Sequence, residues 1–139
     1  MKKNLFKVIL LAMLVALTVS VFVFAANAEE YVAYYYVDGV NGSDKSTGLT
    51  PDTAVKTFSS ASRKAAKEDG TVAIVIMNDY SLSSGINEPI AHDNLFVVTT
   101  KDKTTDFGAQ GAKIVLGKSK QFNIAGPTKF ENIAFDFTL

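Results

Sequence analysis

Four oxygen-bearing side chains crowd one short stretch of the chain: Asp38, Asn41, Ser43 and Asp44. A hard cation such as calcium takes several oxygen ligands, and Asp, Asn and backbone carbonyls are the groups that supply them. The spacing does not fit an EF-hand loop, because the Glu required at its last position is missing. Gly39, Gly42, Gly48 and Pro51 share the stretch, so the favoured reading is a loop folded by Asx turns and glycine geometry. The single histidine, His92, stands beside Asp93, the residue types of a general base and its orienting carboxylate. Sequence neighbours seldom face one another, and no nucleophile is marked nearby, so His92 reads as a surface turn residue. Tyr31, Tyr34, Tyr35 and Tyr36 carry aromatic faces that could stack on sugar rings. Alternation places Tyr34 and Tyr36 on one side of a strand and Tyr35 on the other, and packing is the expected use of most of them.

Other chemistry is missing from the sequence. Asp79-Tyr80, Lys101-Asp102-Lys103 and Lys118-Ser119-Lys120 read as solvated charged turns. Phosphate-cradling glycine loops, paired zinc ligands and Ser-His-Asp spacing do not occur. No residue is therefore expected to be catalytic, metal-binding or cofactor-binding.

The elements around these residues follow from periodicity. Val32 to Val37 is an aromatic and β-branched run that suits one strand, stopped by Asp38-Gly39. A short helix follows the loop. Thr57 is its expected cap, Phe58, Ala61 and Ala65 share one face, and Arg63, Lys64 and Lys67 complement the dipole before Asp69-Gly70. Beyond Gly70, short apolar segments recur: Val72 to Met77, Leu95 to Val98, Lys113 to Leu116, Gln121 to Ile124 and Asn132 to Leu139. Centres near Ile74, Val97, Val115 and Ile133 are 23, 18 and 18 residues apart. These segments are too short for helices, and Val, Ile and Phe dominate them. Repeated strands at this spacing, without helices between them, predict a solenoid.

Composition sets the class. The chain has 139 residues, with 14 basic and 14 acidic. Residues 1–28 read as a signal peptide: a basic MKKNLFK start, an apolar run from Val8 to Ala26, and the small-x-small site Ala26-Asn27-Ala28 before Glu29. The competing reading is an uncleaved anchor, since the run is 19 residues long. Either way residues 29–139 are expected outside the cell, as one domain. That part holds 11 basic and 14 acidic residues, a net of −3, which excludes electrostatic nucleic-acid binding. With no Cys there is no disulfide framework and no thiolate chemistry.

The residues also resemble a family. An aromatic strand, then Asp38, Gly42, Asp44, Gly48, Pro51, Ala54, Lys56 and Thr57, a short helix, Gly70 and a first apolar strand together resemble the N-terminal part of pectin-lyase-like proteins. The phrase Lys129-Phe130-Glu131-Asn132-Ile133-Ala134-Phe135 is similar to that family's repeated strand phrase. The resemblance implies an all-β fold: a right-handed parallel β-helix of about three coils behind a short capping helix. Ile133, Phe135, Phe137 and Leu139 alternate up to the last residue, so the stack is expected to be truncated at the C-terminus. No position matches the catalytic motifs of the family's lyases and hydrolases, so none is carried over.

Three functions are in view. The first is an exported, non-catalytic cell-surface module that contacts polysaccharide or another surface partner. The second is the leading section of a polysaccharide lyase or glycoside hydrolase whose active site lies beyond residue 139. A structural spacer is the third. Membrane attachment is expected only through an uncleaved signal segment.

Overall fold

The computed structural model describes residues 30–82, 92–117 and 125–137. The signal segment of residues 1–28, the strand expected over Gln121 to Ile124 and the Lys118 to Lys120 turn lie outside the described residues. The chain divides into two compact units, residues 1–30 and 31–139, and every element described lies in the second.

The aromatic run forms β1 (Ala33–Val37). A long loop with a 3-10 turn at Pro51–Thr53 leads to α1 (Phe58–Ala65). Among the described residues six further strands follow: β2 (Val72–Ile76), β3 (Tyr80–Ser81), β4 (Phe96–Thr99), β5 (Lys113–Leu116), β6 (Thr128–Glu131) and β7 (Ala134–Phe137). A second 3-10 turn spans Gly108–Gln110. Among the described residues these strands pair in parallel, in two separate sheets ordered β1-β2-β4-β6 and β3-β5-β7.

These sheets correct the expected all-β, right-handed parallel β-helix of about three coils. The described residues mix helix with strand, and the strands form two small parallel sheets. The expected column of strands does not exist as such. Ile74 and Val97 lie in the four-stranded sheet, Val115 in the three-stranded one, and Ile133 in the bend between β6 and β7. Register shows why the spacing misleads. Within the larger sheet, Val72 faces Phe96 and Phe96 faces Thr128, steps of 24 and 32 residues. Within the smaller sheet, Tyr80 faces Ile114 and Lys113 faces Ala134, steps of 34 and 21. No fixed period runs through either sheet, and a fixed period is the signature on which a solenoid reading depends. Apolar segments of about equal length carry no label saying which sheet they join.

The main core lies where residues of both sheets and α1 meet. Tyr35, Val37, Val72, Ile74, Ile76, Phe96 and Val98 of the larger sheet pack with Tyr80, Leu82 and Ile114 and with Phe58, Ala61 and Ala65 of the helix. A second apolar cluster covers the opposite face of the larger sheet, formed by Tyr36, Ala73 and Val75 with Ala54, Phe107 and Ala112. β2 is therefore buried on both faces, which is why Val-Ala-Ile-Val-Ile shows no polar alternation.

The loop before α1 shows what its oxygen-rich residues do. Asp38 Oδ1 accepts from the amides of Val40 (2.9 Å) and Asn41 (2.7 Å) and from Asn78 Nδ2 (2.6 Å). Partial burial works against the charge on Asp38, but these donors hold its carboxyl below the usual carboxylate range. Asp44 Oδ1 accepts from the amides of Lys56 (3.0 Å) and Thr57 (2.9 Å), tying the loop to the start of the helix. Thr57 caps that helix, its Oγ1 accepting from the Ser60 amide at 3.1 Å. Gly42 has no alternative: a Cβ there would sit 2.4 Å from the Val55 carbonyl oxygen and 2.5 Å from that of Asp38.

Candidate functional site

The outer face of the four-stranded sheet gathers the aromatic and charged side chains. Register aligns Tyr34, Ala73, Val97 and Lys129 in one row across β1, β2, β4 and β6, and Tyr36, Val75, Thr99 and Glu131 in the next. Tyrosines thus stand at one edge, a charged pair at the other, and small or β-branched residues between them. Lys129 and Glu131 bond to each other through Nζ and Oε1. The Tyr31 ring meets Tyr34 edge-to-face at 5.4 Å, and its hydroxyl contacts Glu131 Oε2 at 3.4 Å. That contact passes over the two central strands, whose Ala73 and Val97 are fully buried.

A turn from elsewhere in the chain completes the face. Asp102 Oδ2 accepts from the Tyr36 hydroxyl at 3.0 Å, while Oδ1 accepts from the Thr104 and Thr105 amides, each at 2.7 Å. The neighbouring Lys103 ammonium lies 5.6 Å from the Tyr34 ring centre, within cation–π range. Read from sequence as a solvated turn, Lys101-Asp102-Lys103 keeps both lysines exposed and in addition clamps the tyrosine face. Its connection to Tyr36 is made across 66 positions, which local spacing does not reveal.

Electrostatics fixes the protonation of this face. Burial, and then the hydrogen bond to Asp102, push the Tyr36 hydroxyl up to about 12. Tyr34 is raised by burial and by the nearby Asp102 charge. Asp102 is partly buried, which favours its neutral form, yet the donors from Thr104, Thr105 and Tyr36 outweigh that and lower its carboxyl. At neutral pH these tyrosines are protonated and Asp102 is ionised. The Tyr36 hydroxyl and the Asp102 carboxylate are engaged with each other, and the carboxylate also with the amides of the turn.

The remaining candidates are placed elsewhere. Tyr35 points into the main core, its hydroxyl donating to Glu68 Oε1 at 2.7 Å; burial first, then Glu68, raise it to about 12. His92 does not form a dyad with Asp93 and is not a simple surface turn residue. Its ring stacks on Phe96 with centroids 3.6 Å apart, and its Nδ1 lies 2.9 Å from the Asn94 carbonyl oxygen, which can only accept. Asp38 and Asp44 are each engaged by their own donors, with Asn41 turned toward Asp38. Among the described residues no group of three His, Cys, Asp or Glu side chains could hold a metal ion, and no helix is long and apolar enough to cross a membrane. Asp79 is exposed, but Tyr80, read with it as a solvated turn, is only 3% exposed and belongs to the main core.

Comparison with family models, with curated proteins and with solved structures finds no match for this chain. The resemblance to pectin-lyase-like proteins rests on the quoted residues alone. The loop positions that carry it, Asp38, Gly42, Asp44 and Thr57, all serve to fold the loop and start the helix.

Proposed function

We propose that this chain is exported and acts at the cell surface as a non-catalytic module that contacts polysaccharide through the Tyr31–Tyr34 patch that lies over its four-stranded sheet. The observation that carries the reading is the half-buried Tyr31–Tyr34 pair, held edge-to-face beside Lys103 and Glu131. An aromatic face takes the apolar C–H side of a sugar ring, and the flanking charges take its hydroxyls. Export is supported by the basic start, the apolar run and the Ala26-Asn27-Ala28 site.

Affinity electrophoresis in gels containing neutral or acidic polysaccharides tests the contact. At least one glycan should retard the protein, and Tyr34→Ala should weaken that retardation by about five- to tenfold, the worth of one aromatic contact. Migration unaffected by every glycan would overturn the reading, as would full retardation of the Tyr34→Ala protein. For export, the secreted material should begin at Glu29.

A further inference from the structure

A second charged surface lies on α1, away from the tyrosines. Asp44, Ser60, Arg63, Lys64 and Lys67 line a cleft of about 410 Å³. Arg63 and Lys67 are exposed and Lys64 is half-buried. Among the described residues, Arg63, Lys64 and Lys67 take no part in the ion pairs Lys113–Asp136 and Lys129–Glu131. The one acid in the cleft, Asp44, has Oδ1 occupied by two backbone amides and the Thr57 hydroxyl. A mature chain with a net charge of −3 thus keeps three cations together on one short segment.

The lining discriminates among anions. Arg63 presents a planar fork suited to a carboxylate or sulfate, and the two lysines act as point charges. Asp44 is exposed and its Oδ2 meets only the Thr57 hydroxyl among the described residues, so it adds an oxygen acceptor in the same cleft, which serves a ligand that brings hydroxyl donors as well as negative charge. Polyphosphate brings no such hydroxyls. A membrane surface needs an apolar helix face to enter it, whereas the apolar face of α1 is spent on the core and the cleft is lined by polar residues only.

We infer that this cleft is a second binding site, for a sugar chain that carries carboxylate or sulfate groups, and that it works independently of the tyrosine face. Carboxymethyl dextran and dextran share a backbone and differ in charge, so titrating the purified protein with each, by calorimetry, isolates the effect. Carboxymethyl dextran should bind more tightly than dextran by about tenfold or more, as expected from two charge-assisted hydrogen bonds. The double substitution Arg63→Gln with Lys67→Gln, at two exposed positions, should bring its affinity down to that of dextran without changing the circular dichroism. Tyr34→Ala should leave carboxymethyl dextran affinity within about twofold, below the effect of losing one aromatic contact, so failure here is distinct from failure of the tyrosine-face reading. Three results would overturn the inference: affinity unmoved by the double substitution, polyphosphate binding as tightly as carboxymethyl dextran, or equally tight binding to phosphatidylserine vesicles.

Discussion

Tyr80 shows how much one hydroxyl can hold in this protein. Its side chain is buried, and its oxygen accepts from the amide of Phe58, the first residue of α1, at 2.9 Å. A helix's first amides have no partner within the helix, so an acceptor from outside is needed when that end is covered. Tyr80→Phe keeps the ring and removes the acceptor in a buried place. The expected loss is about 1–3 kcal/mol, the desolvation cost of an unmet buried group. Tyr36→Phe makes the useful comparison: it removes the bond to Asp102 nearer the surface, where a net loss of about 1 kcal/mol is expected. Urea denaturation of both variants checks the ranking, and a Tyr80→Phe protein as stable as the parent would show that the Tyr80 oxygen is dispensable.

At the scale of the element, α1 exists because of what surrounds it. Eight residues are fewer than the roughly 12 to 15 that make even a good helix former marginal in water. Two devices compensate: the Thr57 cap, itself held by Asp44, and the burial of Phe58, Ala61 and Ala65 in the main core. Phe58→Asp sets these effects against each other. A carboxylate in the first turn gains up to about 1 kcal/mol from the helix dipole. Placing it unpaired where Phe58 sits costs several kcal/mol, on the order of a small domain's whole margin. Burial should win, and Phe58→Asp should lose cooperative unfolding or soluble protein. Thr57→Ala should cost only about 1 kcal/mol. A Phe58→Asp protein that melts like the parent would mean that α1 contributes nothing to the core.

For the whole molecule, pH separates two sets of anchors. Asp38 and Asp102 have carboxyls lowered by their hydrogen-bond donors, despite partial burial. The unfolded chain holds those protons more tightly, so their contribution is present above the ordinary carboxylate range and is lost as pH falls through the lowered values. Tyr35 and Tyr36 are shifted the other way, from 10.0 to about 12. Their contribution is complete below pH 10.0 and is lost as pH rises toward about 12. Thermal midpoints should therefore hold level through neutrality and fall on both flanks. Tyrosinate absorbance should show Tyr35 and Tyr36 titrating late, together with the alkaline fall. A midpoint unchanged up to pH 12 would contradict the hydroxyl–carboxylate bonds to Glu68 and Asp102.

Local rules were enough for much of the chain. Thr57 before an apolar helical face, glycines and acids in the lead-in loop, and strict alternation in Tyr34, Tyr35 and Tyr36 each depend on neighbours within a few positions, and each reads correctly in advance. Positions of most apolar strands were equally legible, because β-branched runs between polar turns favour extended backbone wherever they end up. Which sheet a strand joins was not legible. A four-residue strand satisfies its hydrogen bonds with any parallel edge of similar length, so only the packed whole selects two sheets with unequal steps of 24, 32, 34 and 21 residues. Asp102 and Glu131 escaped notice for the same reason, since they reach their tyrosines across 66 and 100 positions. Sequence determined what each segment could be; tertiary structure decided which segments meet, because the core is satisfied only when all of them are placed together.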